Sequence, residues 1–261
     1  MDFSTLMIEI VTWVLMIVWL AFVVVSGVLA FRKWQRTEGS VRLQMGYLWI
    51  GAAIVCAGDL LHTIGGTISA YTGSTTGSVS VAGTVFEART FTMFFDALVF
   101  IVYYTLWALF IVARYQQGAF KPHDKIVTGL ALAAIILILP GAVPNSLGIY
   151  TLEYIIAVWA PHITLFIIFG VMAVYKLIRC SRDALARTAD PLTQMQERAL
   201  SRAGAGFAFS FLFFFLSLAL IPVNGIFGMF MIPKTFAYMF AFYNLIKGFI
   251  VTVPEMKGAT H

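Results

Sequence analysis

Residues 13–33 read Trp13-Val14-Leu15-Met16-Ile17-Val18-Trp19-Leu20-Ala21-Phe22-Val23-Val24-Val25-Ser26-Gly27-Val28-Leu29-Ala30-Phe31-Arg32-Lys33, nineteen residues without a charge closed by two cations. A bilayer core about 30 Å thick is crossed by roughly 20 apolar residues rising 1.5 Å each as a helix. This run is therefore one membrane crossing. It is too long for a signal-peptide core and lacks a small-residue cleavage pattern, so it is expected to stay as a helix.

The same ruler laid along the chain gives an all-α, polytopic membrane protein, a bundle of seven spans near 6–31, 43–66, 89–113, 125–143, 152–178, 203–223 and 229–252 in a single transmembrane domain 1–261. Composition agrees, since 61% of the 261 residues are hydrophobic and 11% charged, where a soluble domain carries about 25% charged residues. The formal charge of +5 does not point to nucleic acid, because the cations cluster at the ends of apolar segments. Cys56 falls within a span and Cys180 in a connection, so both are expected as free thiols.

Orientation follows from the cations. Arg32, Lys33, Arg36 and Arg42 fill the first connection, Arg114, Lys121 and Lys125 the third, and Lys176, Arg179, Arg182, Arg187, Arg198 and Arg202 the fifth, with Lys257 in the tail. Of the 17 basic residues only Arg89, Lys234 and Lys247 lie elsewhere. By the positive-inside rule the cation-rich side is cytoplasmic. The N-terminus is then outside, the C-terminus inside, and the expected location is the cell membrane. The Ser/Thr/Gly-rich stretch 67–88 faces outward, as a solvated loop or as a lid. The inner stretch 180–202 holds a short helix after Pro191, which either hands a signal to a partner or extends the sixth span.

Ionisable groups inside a bilayer cost roughly 2.5–3.5 kcal/mol each on insertion scales, so they are normally paired, hydrated or used. Depth along the spans places Asp59, His62, Arg89, Asp96, Glu153, His162 and Lys234 in the outer half. Asp59 and His62 are three apart and project from one helical face. With Asp96 and His162 they make two carboxylates and two imidazoles, a donor set suited to a divalent transition metal. Trp159 lies one turn outside His162. Three readings stay open: a structural charge network, a small-molecule site formed by Asp59, His62, Arg89, Asp96, Glu153, Trp159, His162 and Lys234, or a metal site at Asp59, His62, Asp96 and His162. Haem held by His62 and His162 is the weakest form of the last, because two His at unrelated spacing arise by chance. The run Phe207, Phe209, Phe211, Phe213, Phe214 and Phe215 lines an apolar pocket or, more simply, faces lipid and packs.

Cys56-Ala-Gly-Asp-Leu-Leu-His-Thr63 and, after the outer loop, Phe86-Glu-Ala-Arg-Thr-Phe-Thr-Met-Phe-Phe-Asp-Ala-Leu98 resemble a family of bacterial and archaeal membrane-associated sensor domains. Those are seven-helix modules found ahead of diguanylate cyclase, PAS and histidine kinase domains. The resemblance covers about 45 residues and implies a sensing role for Asp59, His62, Thr63 and Arg89. The family's short outer connection is replaced here by the longer Ser/Thr/Gly loop. With no output domain before His261, such a sensor is expected either to signal to a separate protein partner through its cytoplasmic loops and tail or to be only part of a receptor, with a homo-oligomer as a further option.

Other functions fit less well. A transporter or channel-type subunit of a larger membrane complex needs polar groups through the whole depth of the bilayer, and the inner halves hold only Lys247. A seven-helix zinc hydrolase needs His on its last helix, where this chain has none. A retinal protein could use Lys234 or Lys247, yet Tyr243 rather than a carboxylate lies one turn before Lys247, and the sixth span lacks a Trp. An enzyme is not expected.

Overall fold

The computed structural model describes residues 3–72, 78–81, 84–138, 152–220 and 229–255; within these the side chains of 62, 63, 65–98 and 152–167, among others, lie outside the description. Seven α-helices occur among the described residues: α1 (Phe3–Gln35), α2 (Gly39–Thr72), α3 (Ala88–Tyr115), α4 (Pro122–Ile138), α5 (Leu152–Arg187), α6 (Pro191–Leu220) and α7 (Met231–Asn244). A π-helical turn, Leu245–Ile250, continues α7. The one exception to helix falls in the expected outer loop. There β1 (Ser78–Val81) pairs antiparallel with β2 (Thr84–Glu87), Ser78 opposite Glu87. Alternating Ser, Thr and Val favours an extended chain over a helix, so the stretch expected as a loop carries a short hairpin within a helical fold.

Local chemistry sets several helix ends. Asp190 caps α6, its Oδ2 accepting from the Thr193 backbone N–H at 2.8 Å and from Thr193 Oγ1 at 2.6 Å, with Pro191 in the first helical position. α6 begins there and runs unbroken to Leu220, so the stretch after Pro191 extends the expected sixth span rather than forming a separate helix. Asp124 in the first turn of α4 reaches back to accept from the Lys121 N–H at 2.8 Å. Beyond α3, Gln117 and Gly118 take positive φ, and the Gly118 N–H returns to Val112 O at 3.2 Å, closing the helix in a Schellman-like turn.

Among the described residues three helical stretches, Trp13–Gln35, Gly39–Leu61 and Pro191–Ser217, are long and apolar enough to cross a membrane. Their surfaces fit lipid. Along α1, Val14, Ile17, Val18, Val24 and Val25 are all exposed while Trp19 and Val23 are buried. The Phe run of α6 divides the same way, Phe207 and Phe211 inward and Phe209 and Phe215 outward. Packing and an apolar outer face therefore account for it. Neither Cys56 nor Cys180 is in a disulfide.

The chain forms two compact units. One comprises Met1–Met16, Ile54–Thr105 and Lys121–Gly170. Its described core includes Val99, Ile101, Tyr103 and Tyr104. The other comprises Ile17–Ala53, Leu106–Phe120 and Val171–His261. It is built on an aromatic core in which Phe207 meets Trp107, Tyr238 and Phe242 at centroid separations of 5.2, 6.0 and 6.2 Å. Small residues let its helices close up. A Cβ on Gly206 would stand 2.8 Å from Ala237 O, and one on Gly248 would stand 2.5 Å from Ala199 Cβ. Association through small residues is the usual way helices pack without a hydrophobic drive between them.

Candidate functional site

Two of the eight candidate ligand-binding residues have described side chains. Asp59 is half-buried on α2 and Lys234 half-buried in the first turn of α7. His62 on α2, Arg89 and Asp96 on α3, and Glu153, Trp159 and His162 on α5 are placed in their helices, but their side chains lie outside the described residues. Among the described residues no group of three or more His, Cys, Asp and Glu comes together as a metal site. Of the four metal candidates only Asp59 is described.

The backbone beside Asp59 is informative. A Cβ on its neighbour Gly58 would lie 2.5, 2.8 and 2.9 Å from the three branch carbons of Val99 on α3. Only glycine allows that approach. Ser40 Oγ of α2 donates to Ala113 O of α3 at 2.6 Å. Asp96 lies three residues from Val99, on the same side of α3. The α2–α3 contact therefore brings the Asp59 and Asp96 backbones into one layer of the pair.

Lys234 has aromatic company. Its Nζ stands 4.8 Å from the Phe214 ring centre and 5.9 Å from that of Tyr238. A ring face attracts an ammonium electrostatically, more strongly where water is excluded.

The best-defined polar cluster lies where the sequence marked only topology, at the expected cytoplasmic ends of the helices. Arg114 donates from Nε at 3.0 Å and from Nη2 at 2.6 Å to Glu197 Oε1, from Nη1 to Gln44 Oε1 at 3.1 Å, and from Nη2 to Gln196 Oε1 at 3.2 Å. Tyr115 Oη donates to Glu197 Oε2 at 2.6 Å. Gln196 Nε2 donates to Thr252 Oγ1 at 3.2 Å, and the Phe249 ring lies 4.7 Å under the Arg114 guanidinium. The side chains of Arg114 and Glu197 are 14% and 3% exposed. At that burial an unpaired charge would be costly, and here all three guanidinium nitrogens donate and both carboxylate oxygens accept. The cluster joins α2, α3, α6 and the segment after the π turn. A second tie sits beside it in the chain: Lys33 Nζ and Arg36 Nη1 reach the two Glu255 carboxylate oxygens at 3.0 and 2.9 Å.

The sequence carried a signal for this cluster. Glu197 is the one acid within α6, nearly two turns from its start and followed by Arg198 and Arg202, and an acid on an apolar helix calls for a partner.

Comparison of the chain with family models, with curated proteins and with solved structures finds no match in any of the three. The likeness to membrane-associated sensor domains accordingly rests on residues 56–63 and 86–98 alone.

Proposed function

We propose that this chain is a seven-span, multi-pass membrane sensor, N-terminus outside and C-terminus in the cytoplasm. It binds a small molecule or a divalent metal in an outward-facing polar site around Asp59, His62 and Asp96. It passes the state of that site to a protein partner at the cytoplasmic surface.

One observation carries this reading. The unbroken helices α2 and α3 each hold a candidate ligand residue toward one end and a residue of the buried polar cluster toward the other. Gln44 and Asp59 are separated by about 22 Å of helix, and Asp96 and Arg114 by about 27 Å, at 1.5 Å per residue. Each of these helices is continuous in the chain, so a change made at the Gly58–Val99 contact has a helical backbone along which to pass. A ligand that draws α2 and α3 together at the outer layer therefore biases the Arg114–Glu197 cluster, and with it α6 and the tail. The differential affinity of the ligand for the two arrangements sets the size of that bias.

The test uses the full chain in detergent, screened by thermal shift against zinc, manganese, nickel and a panel of small carboxylic acids and amines. A ligand stabilises the folded state by RT ln(1 + [L]/Kd). At least one probe should raise the wild-type melting temperature, and His62→Ala and Asp59→Asn should fold yet lose that rise. If no probe moves the wild type and the variants simply melt much lower, the outer residues are a structural charge network and the sensor reading fails.

A further inference from the structure

A groove of about 650 Å³ opens along α6 and the end of α7, lined by Pro191, Gln194, Met195, Ala199, Asn244 and Gly248, with the cations Arg198, Arg202 and Lys247 and the phenol of Tyr243. No carboxylate lines it. The three cations carry no ion pair among the described residues, in contrast to Lys33, Arg36 and Arg114. Lys247 Nζ donates to Tyr243 Oη at 3.1 Å, which holds the ammonium over the groove. The π turn that carries Lys247 also brings Gly248 against Ala199, so the floor of the groove is backbone and methyl groups. Such a turn is often found at functional sites.

The surface beside the cations is apolar. Phe236, Phe240 and Tyr243 are about half exposed and recur at helical spacing along α7, ending at Lys247. Met195 on α6 is 44% exposed at the groove itself. From these observations we infer that the groove is a binding site for an anionic phospholipid, the phosphate held by Arg198, Arg202 and Lys247 and an acyl chain laid along Phe240 and Phe236. Basic pockets between membrane helices suit phosphate headgroups, each cation near the surface adding to the attraction. Arginine forks match phosphate geometry, and a lysine adds a compact point charge. A second copy of the chain fits less well, because it offers 12 acidic against 17 basic residues. The inference uses none of the outer candidate residues and holds in either orientation, since the groove meets whichever leaflet surrounds it.

Full-length protein purified in detergent is titrated with phosphatidylglycerol, with phosphatidylcholine and with inorganic phosphate, reading bound lipid by native mass spectrometry and stability by thermal melting. Phosphatidylglycerol should remain bound and raise the melting temperature where phosphatidylcholine does not. Each charge removed should weaken binding about fivefold, so Arg198→Gln/Arg202→Gln/Lys247→Gln should lose about a hundredfold. The single Lys247→Gln variant changes one exposed side chain and keeps the test alive if the triple variant does not fold. Arg182→Gln/Arg187→Gln, outside the groove, should bind as the wild type does. Retention of phosphatidylglycerol by Lys247→Gln and by the triple variant at wild-type strength overturns the inference. So does equal binding of inorganic phosphate, which would make this a free-anion site, and so does a dimer that forms through the groove and excludes lipid.

Discussion

Arg114 and Glu197, 83 positions apart in the chain, meet through two donated hydrogen bonds that converge on a single carboxylate oxygen. The acid's other oxygen is taken by Tyr115. Neither partner could be buried alone, because removing one leaves an uncompensated charge in a site with little water.

Arg114→Met should therefore destabilise the protein by about 3–5 kcal/mol, and Glu197→Leu by a similar amount. The double variant should cost less than the sum of the two, because each single change leaves a buried orphan that the other removes. Denaturant unfolding in detergent measures all three. Simple additivity would mean that the pair contributes no coupling.

Gly58→Ala places a methyl group against the branched side chain of Val99, whose χ1 is stiff on a helix and cannot swing aside. The expected loss is about 1–3 kcal/mol, the usual range for overpacking. Val99→Ala introduced on top should restore part of it. If Gly58→Ala melts with the wild type, the close approach of α2 and α3 is not the constraint that it looks to be.

The Glu255 carboxyl is held below its ordinary range by the hydrogen bond from Lys33 first, then by that from Arg36, with their charges adding to the effect. A depressed carboxylate pKa means that this tie is fully present above the unfolded-state value and is lost as pH falls through the folded one. Attachment of the tail should thus be constant from neutrality down to about pH 5 and weaken below about pH 4. Hydrogen exchange at Val251–Val253 followed against pH reads this directly. Glu255→Gln should leave the segment loose at every pH, and protection, taken as the observed rate relative to the intrinsic rate at the same pH, that stays constant through the acid range in the wild type would rule the tie out.

Topology is tested by labelling. A cysteine placed within 71–82 should react with a membrane-impermeant thiol reagent on intact cells, whereas Cys180 should react only after lysis. The reverse pattern would invert the sides assigned to every loop.

Much of this protein is legible in one dimension. Apolar runs, the Asp190-Pro191 start of α6 and two cysteines outside any disulfide all depend on residues near each other in sequence; the structure has the α6 start, no disulfide at Cys56 or Cys180, and, among the described residues, three helical stretches of membrane length. The common face of Asp59 and His62 is equally local, a matter of three residues on one helix. The hairpin at Ser78–Glu87 was missed because Ser, Thr and Gly read as loop unless strand pairing is known. What tertiary structure alone decided is which residues face one another across helices. It turned Phe207 and Phe211 inward and left Phe209 and Phe215 at the surface of the same helix. It set Gly58 against Val99 and joined Arg114 to Glu197, Gln44 and Gln196. The physical reason is that helix formation is a sum of local hydrogen bonds and side-chain preferences. A buried charge, by contrast, is settled only by the partner that packing brings to it, and that partner carries no mark of its distance along the chain.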